Sequence, residues 1–175
     1  METRVLGFAG WSGAGKTTLI KVLLREFAAR AIRTATIKHA HHEFDVDVPG
    51  KDSYEHRRAG AGEVIVSSGR RWVQMHELLD ENEPTLADLL RRVSPCDLIL
   101  VEGFKRERHP KLEIHRPALG KPLLYPDDPH IVAIATDEKL PGTHPPAVDL
   151  NDVLAVTQVV LAKAQPLTKV LFELQ

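Results

Sequence analysis

A glycine-rich segment between an apolar run and an amphipathic run, GWSGAGKT at residues 10–17, most strongly limits what this chain can fold into. The run before it, VLGFA, predicts a short buried strand, Val5–Ala9. The run after it predicts a helix, Thr17–Ala31, because its apolar residues recur at helical spacing: Leu19, Ile20, Leu23, Leu24 and Phe27. A second strand, Thr34–His39, follows. This order predicts a βαβ unit with the glycines at the carboxyl end of the first strand.

The rest of the chain continues this alternation. Strands are predicted in EVIVSS, RRWVQMHE, CDLILVEG, KLEIHR and HIVAIATD, and helices in KDSYEHRRAG, EPTLADLLRRV and VDLNDVLAVTQVVLAKA. The strands around Gly69 predict a hairpin, KLEIHR predicts an edge strand, and Asn151 or Asp152 is expected to cap the last helix. The proline-rich segment Pro117–Pro129 is expected to be a surface loop. We therefore predict one domain, residues 1–175, of the P-loop NTPase type, with three α/β layers, a mostly parallel sheet and an added antiparallel hairpin.

Composition and charge narrow the class of protein. The 175 residues include 23 Lys or Arg and 24 Asp or Glu, and the formal net charge of -1 does not favour nucleic acid or an anionic membrane as a partner. Cys96 is the only cysteine, which excludes a disulfide framework and is typical of a cytoplasmic protein. The apolar runs are far shorter than the ~18 residues of a membrane span. No signal peptide is expected, because a strand already begins by Val5.

The glycine-rich segment matches the phosphate-loop pattern G-x-x-x-x-G-K-[ST]. Its glycines let backbone N–H groups turn inward around a phosphate, and the following helix adds the partial positive charge of its amino terminus. Lys16 is expected to reach the β- and γ-phosphates, as a catalytic residue, and Thr17 to bind Mg²⁺. The expected nucleotide ligands in this segment are Gly10, Ser12, Gly13, Ala14, Gly15, Lys16, Thr17 and Thr18.

A second acidic residue usually works with a phosphate loop by holding Mg²⁺ or its waters. The strand in DLILVEG has Asp97 before it and Glu102 after it. Ligands of such sheets lie at the carboxyl ends of the strands, so Glu102 is predicted as the metal-binding and catalytic acid and Asp97 as a residue of the opposite edge. Lys105, Arg106 and Arg108 follow the same strand, where they either touch an anionic ligand or lie in water.

Thr136 and Asp137 end a later strand at the same edge, near the expected position of the nucleotide base. A carboxylate can accept hydrogen bonds from both N1–H and N2–H₂ of guanine. Asp137 therefore motivates a hypothesis of guanine preference, the alternative being a solvated loop aspartate.

A histidine-rich stretch after the second strand allows two interpretations. His39, His41 and His42 could ligate a transition metal such as zinc or nickel. Otherwise the stretch is a phosphate-sensing or substrate-binding loop, in which Asp45, Asp47 or Asp52 contacts Mg²⁺ through water. The second interpretation is favoured because no cysteine lies near, and Asp47 is taken as the metal residue.

With these motifs in view, the chain resembles the molybdopterin-guanine dinucleotide biosynthesis protein B (MobB) family. The resemblance rests on FAGWSGAGKTTL, IKHAHHEFDVDVPGKDSYEHRRAGA, RRWVQMHE and DLILVEGFK, and continues through IVAIATD and DLNDV. It implies a homodimeric protein that binds GTP and Mg²⁺, hydrolyses GTP slowly, and acts beside the guanylyltransferase that joins GMP to molybdopterin, with molybdopterin itself as a further candidate ligand. It also implies that Glu102 and Gly103 form the second nucleotide motif and that Asp137 lies in the base-recognition region. The sequence has no Asn-Lys-x-Asp guanine signature, so guanine preference depends on the resemblance.

Two other functions share the phosphate loop. A small-molecule kinase would transfer the γ-phosphoryl group to an acceptor, but such kinases usually add an arginine-rich lid, and only Arg106 and Arg108 could supply one. A metal-delivery GTPase would use the three histidines as ligands. For the nucleotide chemistry itself we expect at most a slow Mg²⁺-dependent GTPase, because the sequence shows no evident water-orienting glutamine or arginine finger.

Overall fold

A computed structural model describes residues 2–40, 44–140, 142 and 145–175. The chain divides into two units, Met1–His39 with Thr85–Gln175, and Ala40–Pro84. In chain order the elements are β1 (Arg4–Ala9), α1 (Lys16–Ala29), β2 (Thr34–Lys38), α2 (Asp52–Arg58), β3 (Glu63–Ser67), β4 (Trp72–His76), α3 (Leu86–Arg92), β5 (Leu98–Glu102), β6 (Lys111–His115), β7 (Ile131–Thr136), β8 (Ala147–Asp149), α4 (Val153–Lys163), β9 (Gln165–Pro166) and α5 (Leu167–Glu173). Two 3₁₀ helices, Pro117–Leu119 and Tyr125–Asp127, lie between β6 and β7.

The first unit is built on a sheet with the strand order β2-β5-β1-β6-β7-β8. All of these neighbours pair in parallel, and the short strand β9 pairs antiparallel to β1. The carboxyl ends of β1, β5 and β6 therefore lie at one edge of the sheet, with Phe8 beside Glu102 and Ala9 beside Glu113. The predicted α/β fold with a mostly parallel sheet is confirmed.

Helices cover both faces of this sheet, because side chains along each strand point alternately to opposite faces. On one face, Leu6 and Phe8 of β1 pack with residues of α1 and α4, among them Leu23 and Val156. On the other face, Val5 packs with residues of α3 and α5: Leu86, Leu90 and Val170. The three predicted layers are present. At the start of α4, the Asp152 side chain accepts a hydrogen bond from Ala155 N at 3.0 Å, so Asp152 is the cap.

The second unit contains α2 and the predicted antiparallel hairpin of β3 and β4, which forms a separate two-stranded sheet. Arg57 of α2 connects three carboxylates of this unit. Its guanidinium forms ion pairs with Asp45, Asp47 and Glu77 at 2.8, 3.2 and 2.7 Å. Hydrogen bonds to Glu77 and Asp45 raise the pKa of Arg57 above its ordinary value.

That one domain spans residues 1–175 stays a prediction. Among the residues described, no helix is long and apolar enough to cross a membrane.

The prediction that KLEIHR is an edge strand is wrong, because β6 lies inside the sheet between β1 and β7. All five of its residues are buried. The polar face is covered by the proline-rich segment that was predicted to be a surface loop. The Glu113 carboxylate accepts hydrogen bonds from the backbone N–H groups of Leu124 and Tyr125 at 2.7 and 3.0 Å, and Lys111 Nζ donates to Asp128 Oδ2 at 2.8 Å. Burial raises the pKa of Glu113.

Replacement of Glu113 tests whether this strand holds the loop. Glu113→Ala leaves two backbone N–H groups without their acceptor, each worth about 1–3 kcal/mol when buried and unpaired. We expect the free energy of unfolding at neutral pH, measured by urea titration, to fall by about 2–4 kcal/mol. The control is Glu138→Ala, an exposed glutamate, which should change stability by less than about 0.5 kcal/mol. Equal stabilities for the two variants would contradict the assignment.

Candidate functional site

The phosphate loop connects β1 to α1 with the backbone geometry that the sequence predicted. Gly10 has φ 149°, and a Cβ atom at this position would lie 2.6 Å from the Ile114 carbonyl oxygen, so only glycine fits. Gly15 is the residue before the first turn of α1 and has a left-handed conformation. Of the other predicted ligands in this loop, Ser12, Gly13 and Thr18 are exposed and Ala14 is buried.

Lys16 folds back over the loop. Its Nζ donates hydrogen bonds to the carbonyl oxygens of Gly10 and Trp11, both at 3.0 Å. Burial, followed by the nearby charge of Lys105, lowers the pKa of Lys16 below its ordinary value. These contacts hold the ammonium group at the mouth of the loop, where a phosphate enclosed by the loop would meet it.

Glu102 and Thr17 lie side by side, although they are far apart in sequence. Thr17 Oγ1 donates a hydrogen bond to Glu102 Oε1 at 2.7 Å, and Lys38 Nζ lies 3.9 Å from the same oxygen. A hydroxyl and a carboxylate are oxygen ligands of the kind that Mg²⁺ takes together with phosphates and water, so this pair fits a nucleotide-bound Mg²⁺. Asp97 lies before β5 and pairs with Arg33 at 3.2 Å, as expected for the opposite edge.

The chain turns sharply after Glu102. Gly103 has φ 98°, and a Cβ atom there would lie 2.8 Å from the His39 Cβ. Phe104 also has a positive φ, 50°, which is uncommon for an aromatic residue, and its ring centroid lies 5.0 Å from that of His39. The turn brings Lys105 to the phosphate loop, where its Nζ lies 5.6 Å from the centre of the Trp11 ring. The binding of nucleotide by Gly103 stays a prediction.

Asp137 follows β7 at the same edge of the sheet, and its two carboxylate oxygens differ. Oδ2 forms an ion pair with Arg116 at 2.5 Å. Oδ1 is buried and has no hydrogen-bond partner among the described residues. A buried acceptor of this kind is costly unless it is satisfied, and a donor on a ligand would satisfy it. The role of Asp137 in base recognition stays a prediction.

Arg116 was not singled out in the sequence, yet it joins the two halves of the site. Its Nε donates to the Ala14 carbonyl oxygen in the phosphate loop at 3.2 Å, while its Nη1 bonds Asp137. Arg116 directly follows β6. A charged residue directly after a strand that ends at the site could have indicated the role of Arg116. It was not recognised because β6 was predicted to be an edge strand.

The remaining predicted metal residues lie in or near the second unit. The Asp47 carboxylate accepts hydrogen bonds from Ser53 Oγ at 2.9 Å and from Arg57 Nε at 3.2 Å. Its binding to Mg²⁺ stays a prediction. His41 and His42 lie outside the described residues, and the His39 ring contacts Phe104. The described residues contain no group of three or more His, Cys, Asp or Glu placed to hold a metal ion.

Comparison with known proteins identifies the family. The family model described as "Molybdopterin guanine dinucleotide synthesis protein B" (MobB) matches residues 5–137, which includes the phosphate loop, Glu102 and Asp137. The chain belongs to the MobB family. It is 47% identical over 160 residues to the molybdopterin-guanine dinucleotide biosynthesis adapter protein of Escherichia coli K12, covering 90% of this chain and 91% of that protein. With the adapter protein of Haemophilus influenzae the identity is 43%, covering 78% and 76%.

Solved structures of MobB proteins share the fold. The crystal structure of Bacillus subtilis MobB superposes with a TM-score of 0.70 at 23% identity, covering 93% of this chain and 98% of that one. A MobB homologue from Bacillus stearothermophilus gives a TM-score of 0.66 at 24% identity, covering 90% and 98%. The α/β architecture described above is therefore that of the MobB family.

Proposed function

We propose that this protein is a GTP-binding adapter in molybdopterin-guanine dinucleotide biosynthesis. The observation that supports nucleotide binding best is the joint placement of Lys16 over the phosphate loop and of the Thr17 hydroxyl 2.7 Å from Glu102. Together they supply a cation for the phosphates and two oxygen ligands for Mg²⁺. The pathway follows from membership of the MobB family and from relatives described as adapter proteins of this biosynthesis. The cytoplasm is the proposed location, since Cys96 is a free buried thiol.

Guanine is the proposed base because Asp137 offers an acceptor to it. Its buried Oδ1 lacks a partner among the described residues, and the edge of guanine presents two N–H donors that adenine does not combine in the same place. Arg116 holds the other oxygen, so the position of the carboxylate is fixed. Hydrolysis is proposed to be slow, with the nucleotide acting in binding and positioning more than in turnover.

Binding of GTP and ATP with Mg²⁺ tests this proposal directly. Wild type should prefer GTP, and Lys16→Ala should weaken GTP binding about 10- to 100-fold, the value of a charge-assisted contact to phosphate. Asp137→Ala should reduce the preference for GTP over ATP by a similar factor while ATP affinity changes little. Glu138→Ala, the adjacent exposed carboxylate, is the matched control. Equal affinity of wild type for the two nucleotides, or an unchanged preference in Asp137→Ala, would exclude the guanine assignment.

The proposed partner is the guanylyltransferase that joins GMP to molybdopterin, with molybdopterin as a further candidate ligand. The adapter description of the relatives supports a role in assembly more than in the transfer itself. An adapter that positions a nucleotide for a partner needs a site open to solvent, and Ser12, Gly13, Thr17 and Thr18 of the phosphate loop are all exposed.

Reconstituted cofactor assembly provides the measurement for this partnership. Addition of the protein to guanylyltransferase, molybdopterin and GTP should raise the yield of dinucleotide cofactor, and the guanylyltransferase should be retained on the immobilised protein. Lys16→Ala should lose the increase in yield. If added wild-type protein changed neither retention nor yield, the partnership would be abandoned, while the nucleotide-binding result would stand by itself.

A homodimer through the hairpin of the second unit is also proposed. Ile65 of β3 and Trp72 of β4 are exposed by 61% and 65%, and Val66 and Val73 are partly exposed as well. A two-stranded sheet is only marginally stable alone, and its unpaired edges readily pair with another chain. Apolar side chains on such strands are typical of an interface between protein chains. A second copy of the hairpin would cover them.

Light scattering of the purified protein tests the dimer. Wild type should have the mass of two chains, and Ile65→Glu should have the mass of one, because a charge would be buried in the interface. The control is Phe172→Glu in α5 of the first unit, where the side chain is 77% exposed and the substitution should leave the dimer intact. A monomeric wild type, or a dimer that persists in Ile65→Glu, would contradict this interface.

A further inference from the structure

The turn that follows Glu102 constrains the backbone immediately before Lys105. Two successive residues, Gly103 and Phe104, have positive φ angles of 98° and 50°. The glycine packs so closely on His39 that a Cβ atom would collide with it, and the phenylalanine ring packs on the His39 ring. Backbone strain of this kind at a bulky residue persists only where the surroundings hold it, and it is common at ligand sites.

The turn places Lys105 beside the phosphate loop. This cation is not part of the phosphate-loop motif. Lys105 Nζ lies 5.6 Å from the centre of the Trp11 ring, and Trp11 is the second residue of the loop. Lys16 Nζ donates a hydrogen bond to the carbonyl oxygen of the same Trp11 at 3.0 Å. Trp11 therefore contacts the ammonium groups of both lysines.

Two like charges beside one residue repel each other in the protein alone, and an anion between them turns this repulsion into attraction to the anion. The phosphate loop and the amino terminus of α1 surround one phosphate, and Lys16 reaches toward the next. Lys105 stands outside the loop, three residues after the acid at the end of β5. A nucleotide whose phosphates extend outward from the loop would bring its outermost phosphate toward a cation on this side.

We propose that Lys105 is a second phosphate-binding cation. Its ammonium group moves away from the Trp11 ring and pairs with the γ-phosphate, so that the site distinguishes a nucleoside triphosphate from a diphosphate. This inference rests on the proposed nucleotide binding and adds to it the residue that senses the third phosphate. Without nucleotide, the Lys105 ammonium group stays over the Trp11 ring. An indole face holds a cation only weakly, so the full negative charge of a phosphate attracts the ammonium group away from it.

Lys121 provides a matched control on the same ring. Its Nζ lies 5.8 Å from the Trp11 ring centre, almost as near as that of Lys105, and it is likewise exposed. Lys121 belongs to the proline-rich segment, next to Pro122, whose carbonyl oxygen accepts a hydrogen bond from the Trp11 indole N–H at 2.7 Å. Loss of Lys121 therefore removes a cation from Trp11 while the cation that follows Glu102 remains.

The experiment measures the affinities of wild type, Lys105→Ala, Lys105→Arg and Lys121→Ala for Mg²⁺ complexes of GDP and of a non-hydrolysable GTP analogue, by calorimetry. Lys105→Ala should bind the triphosphate analogue about 10- to 100-fold more weakly, with GDP affinity changed less than about threefold. Lys105→Arg should retain most of the triphosphate affinity because it keeps the charge, and Lys121→Ala should match wild type for both ligands. Retained GDP binding also shows that each variant is folded.

Four outcomes would overturn the inference, and they separate it from the proposed function. Unchanged triphosphate affinity in Lys105→Ala, or an equal loss for GDP and the triphosphate analogue, removes the γ-phosphate role while nucleotide binding stands. An effect of Lys121→Ala as large as that of Lys105→Ala would show a diffuse positive surface instead of one placed cation. If wild type bound neither ligand, the proposed nucleotide binding would fall and this inference with it.

Discussion

Parallel pairing of β1 with β5 on one side and β6 on the other is the constraint on which the rest of the structure depends. It brings the residues that follow three strands to a single edge, although the chain separates them widely. The hydrogen bond between Thr17 and Glu102 follows from the first pairing, and the contact of Arg116 with the phosphate loop follows from the second. The helices that cover both faces then keep water from the backbone hydrogen bonds that hold this alignment.

The carboxyl-end edge of the sheet carries an excess of positive charge that the net charge of the whole chain does not show. The formal net charge is only -1, yet four cations gather around the phosphate loop: Lys16, Lys38, Lys105 and Arg116. The two carboxylates among them, Glu102 and Asp137, each lie beside one of these cations. Such a local excess of positive charge favours an anionic ligand without making the whole protein basic. Composition alone therefore did not indicate that the ligand is an anion.

The sequence predicted the parts of this protein that depend on local pattern and on one topological rule. Apolar periodicity located the main strands and helices, and the rule that ligands lie at the carboxyl ends of parallel strands chose Glu102 over Asp97 correctly for position. The sequence did not predict that β6 lies inside the sheet, because the loop N–H groups that bury its Glu113 meet it only in the folded chain. The roles of Arg116 and Arg57 were also missed, since their partners are brought together only by tertiary packing.

The phosphate loop is also held from outside. The indole N–H of Trp11 donates to the Pro122 carbonyl oxygen at 2.7 Å, and Glu113 binds the backbone only two residues further on, at Leu124. Together with the Arg116 bond to Ala14, these contacts fix the loop to the segment outside it and to the strand beneath it. A loop restrained in this way has little conformational entropy left to lose when it closes on a phosphate, and preorganisation of this kind favours affinity before any contact with the ligand is counted.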